Sequence, residues 1–512
     1  MLLTVLTAVG KVMGALFRVP LVGILGAEGM GYYQSVFPVY ALLLTLVSSG
    51  VSTATARLVA GSVDEPALQK SVRRGALFLS GLLGLVASLL IVALSAPISA
   101  LQGDKALWRG YVAIAPAILP AALVAVMRGA YQGTGDLRAP ALSQLVEQGA
   151  KLLLGLGIAV LLSDRGWMAA SIGALVGVAL SELVALLYLA VPRKQGIAEE
   201  VKPLPIDAGA FSYGFFRVIR TAIPLVLVGL VHPLSHFFDS LTVVNVLSPL
   251  IGQAPASAQY GLYSGAVCSL ISLPTVLTVA LAVGAIPSLS GESAGRCGDK
   301  LAFSLKLSAC VGVVFSVLYL AVPEAIVGLL YPSLSAESAG KVVGLLSLSV
   351  PALLAGSVNQ IYSAFLQGVG MGQRAIKNSF IGLAVKVVLG VILLRVMGIG
   401  GIALATGAGQ VLGCLLNVVC WQKYFKSGKI LKNVSLIGVL GAIMFVSGRA
   451  LAHFVGEWVL PCMAILCVVF VLSVLKTGVF SREEIQKMPF STVLVALSGK
   501  KELKSDNDRG LR

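Results

Sequence analysis

Long apolar runs separated by short polar stretches fill nearly the whole chain. A helix needs about 20 apolar residues to cross roughly 30 Å of hydrocarbon. Runs of that length fall at 2–25, 33–60, 75–98, 108–130, 140–162 and 167–191. They resume after a polar, basic stretch at 218–247, 261–287, 301–321, 342–366, 376–396 and 400–420, with two more at 434–451 and 458–475. The pattern predicts an all-α polytopic membrane protein of about fourteen transmembrane helices. Composition agrees: 57% of the 512 residues are hydrophobic and 12% are charged, and mean hydropathy is +0.94.

The chain also repeats itself. Tyr131-Gln132-Gly133-Thr134-Gly135 is echoed by Leu366-Gln367-Gly368-Val369-Gly370, and at the same offset Lys151 meets Lys386 and Gly155 meets Gly390. At a slightly shorter offset Gly31-Tyr32-Tyr33 meets Gly261-Leu262-Tyr263. Six helices per repeat is an even number, so both halves enter the membrane in the same direction and form parallel lobes around a central cavity. The expected organisation is an N-lobe over 1–191, a cytoplasmic basic linker over 192–215 and a C-lobe over 216–420. Two further helices occupy 421–475, and a cytoplasmic tail runs over 476–512.

Charge then sets orientation. The 38 Lys and Arg against 22 Asp and Glu do not indicate nucleic-acid binding, because the excess lies mostly in alternate short loops and the tail. Lys70, Arg73, Arg74, Arg138, Arg193 and Lys194 mark one side, while 26–32 and 248–258 carry no Lys or Arg. The positive-inside rule puts the basic loops and both termini in the cytoplasm of a multi-pass protein of the cytoplasmic membrane. All four tryptophans (Trp108, Trp167, Trp421, Trp458) fall at predicted helix ends, as an interfacial belt requires. The start directly in apolar sequence, without a basic leader, leaves the assignment of Met1 as the true start open. The odd set of seven cysteines lies mostly in apolar runs without a CxxC pair and reads as small apolar filler.

Ionisable residues inside apolar runs are the candidate chemistry, because a charge at membrane depth normally faces a partner or a water-filled cavity. Lys11 and Arg18 sit two helical turns apart in the first run and point the same way. Arg57 lies near the end of the second run, where snorkelling is also available; the same holds for Arg128. Glu147 and Lys151 are spaced i, i+4 and can pair as a purely structural unit or serve the cavity. At the place matching Glu147 the second repeat has Gly382, so Lys386 lacks a carboxylate on its own helix. His232, His236 and Asp239 form one stripe on the seventh helix. HxxxH with a carboxylate is a zinc-ligand spacing, but Pro233 interrupts it and no metalloprotease glutamate follows. A polar cavity wall, with Asp239 as a proton or sodium site, is the preferred reading. No Walker A motif, Gly-x-Ser-x-Gly, HExxH or large outer domain is present, so an enzyme is not expected and no cofactor is called for. Energy must come from Na+, H+, the membrane potential or the substrate itself.

The segments Gly10-Lys11 through Arg18, Gly26-Ala27-Glu28-Gly29-Met30-Gly31-Tyr32-Tyr33-Gln34 and Gly50 through Arg57 resemble the start of the stage V sporulation protein B-like flippases. So do Gln132 through Gln148 and Gln259 through Pro274 in later helices. That family belongs with MurJ-type lipid II flippases and, more distantly, MATE exporters in the MOP superfamily. The resemblance covers roughly 1–432. It implies a fourteen-helix, two-lobe fold with a cationic cavity, and a flippase for an undecaprenyl-diphosphate-linked cell-wall precursor such as lipid II. Lys11, Arg18, Arg57, Lys151 and Lys386 would hold the diphosphate. Asp239, His232, His236 and Glu147 would line the cavity or couple an ion. Some relatives place sodium near the position of Asp239 with help from an amide on helix eleven; Lys386 stands in that neighbourhood here. Partners would be the lipid-linked oligosaccharide, membrane lipids and, as candidates, cell-wall synthesis proteins. The rival functions are a MATE-like ion-coupled antiporter, which calls for an anionic cavity, and a non-transporting scaffold, which needs no buried lone cations.

Overall fold

The computed structural model describes residues 2–62, 64–191, 208–285, 294–425, 430–486, 488 and 494. The described residues are almost entirely helical and contain no strand. Hydrocarbon leaves the backbone no other donors or acceptors, so helices satisfy it internally. Eleven described helices are long and apolar enough to cross a membrane, or up to twelve if one bent pair counts as a single span. The expected fourteen is therefore not confirmed by this criterion. One cause is that the first two apolar runs form one continuous element, α1 (Leu2–Ala60), counted once. Gly26 breaks it with φ 64° and ψ −174°, a conformation that a side chain would strain. The two arms on either side of Gly26 follow the two sequence runs. A second cause is that the run at 261–287 ends in residues outside those described.

In the first half, α2 (Pro66–Ala93), α3 (Ile118–Gly133), α4 (Arg138–Ala150) and α5 (Trp167–Ala190) gather around α1. Beyond α4 the helix is π-wound over Lys151–Gly155 and then regular over Leu156–Leu161. Next comes α6 (Ala208–Ile251), followed by α7 (Gln253–Gly261), a second π-wound stretch (Leu262–Val267) and α8 (Cys268–Ala285). The second half continues with α9 (Ala294–Ala321), and then α10 (Ala336–Leu348) and α11 (Val350–Gly368), bent by 46°. It closes with α12 (Gly372–Met397), α13 (Gly400–Tyr424), α14 (Ile430–Phe454), α15 (Val459–Lys476) and the short α16 (Arg482–Gln486).

The halves meet at both ends of the bundle. At one end a Cβ on Gly31 would lie 2.1 Å from the Ser257 carbonyl oxygen, and one on Gly261 would lie 2.3 Å from the Gly31 nitrogen. Only glycine permits that approach. Gly31 and Gly261 are mates in the sequence repeat, and mates touch each other where an axis relates the two copies. At the other end Gly50 fits against Ala222 and Val226, and Gly75 against Phe215. The first part of α6 thus packs on α1 and α2, whereas its second part reaches α12. At 1.5 Å per residue α6 is far longer than one bilayer crossing needs.

Large apolar side chains such as Leu153, Leu161, Val388, Val396 and Val468 are exposed around the bundle, as a lipid-facing surface requires. Two boundaries and one tryptophan differ from expectation. The expected linker over 192–215 overlaps α6, which begins at Ala208; residues 192–207 lie outside those described. The tail after Lys476 is not wholly detached, because Val479, Phe480 and Ile485 are buried and Lys306 Nζ of α9 pairs with Glu484 at 2.8 Å. Trp421 is not a belt residue. It is fully buried and stacks on Phe425, while Trp108, Trp167 and Trp458 are exposed.

Candidate functional site: a polar interior with unmatched cations

Arg18 lies on the first arm of α1, half-buried, with its guanidinium carbon 6.0 Å from the centre of the Phe37 ring. Phe37 itself stacks on Tyr33 and leans on Tyr40. This aromatic wall on the second arm gives a cation weak π contact and no counter-charge. Among the described residues Arg18 makes no hydrogen bond or ion pair. Lys11 lies on the same arm, and its side chain is outside those described. Arg57 is exposed in the last turn of α1 and has no ion pair among the described residues. The structure does not join it to the other cations.

Glu147 and Lys151 do not pair. Glu147 accepts from Arg128 of α3 at 2.8 Å and from Gln148 Nε2 at 2.9 Å, and Arg128 Nε also donates to Ser143 Oγ at 2.7 Å. Arg128 is therefore a bonded structural cation and is not simply snorkelling. The turn between them is regular, with the Lys151 backbone N–H bonded to the Glu147 carbonyl, so it is the competing Arg128 that takes the Glu147 carboxylate; the π-winding begins only at Lys151. The widened turn sits where the chain crosses α5 very closely: a Cβ on Gly177 would be 2.4 Å from Gly155 Cα. Lys151 is left half-buried, with no hydrogen bond or ion pair among the described residues. It acts electrostatically on the buried Glu182, whose carboxylate accepts one long bond from Tyr40 at 3.4 Å.

Lys386 behaves differently. It is buried on α12, and its Nζ donates to Asp239 Oδ2 and to Ser235 Oγ of α6, each at 2.7 Å. The reading of Lys386 as uncancelled therefore needs correction. Its own helix lacks a carboxylate because Gly382 lets α13 approach closely, with a Cβ there falling 2.6 Å from the Gly409 carbonyl. The counter-charge arrives from α6 instead. His232 and His236, on the same face of α6, contact each other edge-on with ring centres 4.6 Å apart. Both lie within electrostatic reach of Lys386 and of Arg18. The two histidines on α6 thus stand between a cation of each half.

Sequence reasoning missed a polar network in the second half. Asn417 Nδ2 donates to Asn359 Oδ1 at 2.7 Å and to Ser363 Oγ at 3.0 Å; Asn378 Nδ2 donates to Asn417 Oδ1 at 2.9 Å, and Asn359 Nδ2 to Gln410 Oε1 at 3.2 Å. A cavity of about 380 Å3 opens beside it, lined by His232, Ser235, Asn359, Gln410 and Lys386 among others. The signal was present as amides at helical spacing inside apolar runs: Gln410 and Asn417, and Asn359 with Ser363.

Close-packed, repeat-related helical halves with ionisable residues at the core make up a fold shared with solved transporters of the MOP superfamily. This protein belongs to the polysaccharide biosynthesis protein family, whose sequence profile matches residues 1–291. The chain is 25% identical over 505 residues to stage V sporulation protein B of Bacillus subtilis (strain 168), covering 94% of this chain and 95% of that protein. It is 26% identical over 497 residues to the lipid II flippase MurJ of the same organism, covering 90% and 88%. Among solved structures, a lipid II flippase MurJ in an inward closed conformation superposes with a TM-score of 0.70 at 16% identity, over 94% of this chain and 99% of that one. Both MurJ proteins are named as lipid II flippases.

Proposed function

We propose that the chain is a flippase for an undecaprenyl-diphosphate-linked cell-wall precursor, with lipid II the first candidate, moved from the inner to the outer leaflet. The observation that carries this reading is the pair Arg18 and Lys151: both are cations at membrane depth with no hydrogen bond or ion pair to a carboxylate among the described residues. Each costs about 3 kcal/mol or more in that position, and a diphosphate supplies the missing acceptors through charge-assisted bonds. Lys11 and Arg57 belong to the same proposed set. The curated name of one relative, a lipid II flippase, agrees with this substrate class.

In the cycle the lipid tail stays in the bilayer while the head group crosses between the halves, which rock to alternate access. Glycine contacts at both ends of the bundle suit two surfaces that part and close again. Asp239 is already engaged by the Lys386 ammonium. That supports a cycle driven by protons or membrane potential, without sodium at this carboxylate. At two carboxylates it also weakens the antiporter alternative: Asp239 and Glu147 are both ion-paired within the protein, which leaves Glu182, bonded only to Tyr40 among the described residues, as the buried carboxylate that alternative would have to use. Basic alternate loops support cytoplasmic termini.

The test is lipid II translocation in cells depleted of their own flippases and complemented with this chain. Wild type restores translocation. Arg18→Ala abolishes it at unchanged protein level, and normal flipping by that variant defeats the cavity assignment.

A further inference from the structure

The cavity in the second half has a different chemistry from the cationic region. Its wall carries four side-chain amides, Asn359, Gln360, Gln367 and Gln410, and no carboxylate. Its one lysine, Lys386, has its charge matched by Asp239. A diphosphate therefore gains little here. An amide presents a donor and an acceptor side by side, which is also what neighbouring sugar hydroxyls present. The cavity, about 380 Å3, falls in the range of small-ligand sites.

The network behind the wall orients these groups. Asn417 and Asn359 pass the bonding on to Gln410 Oε1, which directs the Gln410 amide nitrogen elsewhere, and it makes no hydrogen bond among the described residues. Gln360 Oε1 is shielded from water and accepts no hydrogen bond. An orphaned buried acceptor is costly, and because the Gln360 side chain lines the cavity, a rotation of its amide presents that acceptor to a hydroxyl there. Gly413 keeps the approach narrow but open, since a Cβ there would come within 3.3 Å of Asn359 Nδ2.

We propose that this cavity is a subsite for the uncharged, hydroxyl-rich glycan of the transported lipid, separate from the cations that hold its diphosphate. The inference rests on the flippase reading and divides recognition between the halves: charge in the first, hydroxyl pairing in the second.

The test measures binding to the full chain in lipid nanodiscs. The probes are undecaprenyl diphosphate and the same lipid carrying a disaccharide. Wild type is expected to prefer the disaccharide lipid by about tenfold, the worth of one or two net hydrogen bonds. Gln360→Leu and Gln410→Leu erase that preference while affinity for the bare lipid stays within about twofold. Gln360 makes no hydrogen bond among the described residues, so Gln360→Leu carries the test even if the Gln410 variant folds poorly. Arg18→Ala weakens both lipids. No preference in wild type, or amide variants that weaken both lipids equally, overturns the subsite. If the amide variants erase the preference but Arg18→Ala changes neither lipid, the subsite stands and the diphosphate assignment falls. Wild type that binds neither lipid overturns both.

Discussion

Lys151 and Lys386 occupy matching places in the repeat and have opposite fates. Lys386 is locked to Asp239 and Ser235 at 2.7 Å, whereas Lys151 has no bonded partner among the described residues. What separates them is the neighbour: α6 delivers a carboxylate to Lys386, while the carboxylate nearest Lys151 in sequence, Glu147, has been taken by Arg128. A repeat thus preserves a backbone position without preserving its electrostatics. One half keeps an available charge, and the other turns its lysine into structure and surrounds it with amides.

That contrast can be broken in three ways. The largest effect is expected from Asp239→Ala, which strands a buried ammonium and should destabilise the protein by about 3–5 kcal/mol, read as a lowered melting temperature in detergent. Adding Lys386→Met should recover most of the loss. A double variant as unstable as the single one would mean that the pair is not the source. Next is Lys151→Met. With no bonded partner to lose, stability should change by less than about 1 kcal/mol, while lipid translocation falls at least about tenfold as one charge-assisted contact disappears. A large drop in stability with transport intact would make Lys151 structural, like its mate. The smallest effect is expected from Glu484→Gln, which weakens the tail's hold on Lys306. A loss of about 0.5–1 kcal/mol, without loss of lipid binding, would keep this contact outside the transport site.

Much of the architecture was legible in the sequence because hydrocarbon imposes a length and a polarity on every crossing helix. The apolar runs map onto helices, and Gly26 lies between the first two runs and breaks α1. The match of Gly31 with Gly261 was visible as part of the repeat, and the structure alone brought the two glycines into contact. The site was legible only in part. Arg18 was found because its charge is visible against its own helix. The fates of Lys386, Arg128 and Glu147 were not, because their partners lie on other helices, 19 to 147 residues away. Nor did i, i+4 spacing predict that Arg128, on another helix, would take Glu147 away from Lys151. The amide network was overlooked because single amides in apolar runs carry no charge signal; only the convergence of α11, α12 and α13 makes them a group.

The sequence by itself determined that this is a polytopic helical membrane protein with a duplicated core and cations at membrane depth. Hydrophobicity and helical periodicity are local properties, and a linear chain displays them. The tertiary structure alone decided which of those cations is spent inside the protein and which remains available. Ion pairing at 2.7–2.8 Å depends on which helices the fold brings side by side.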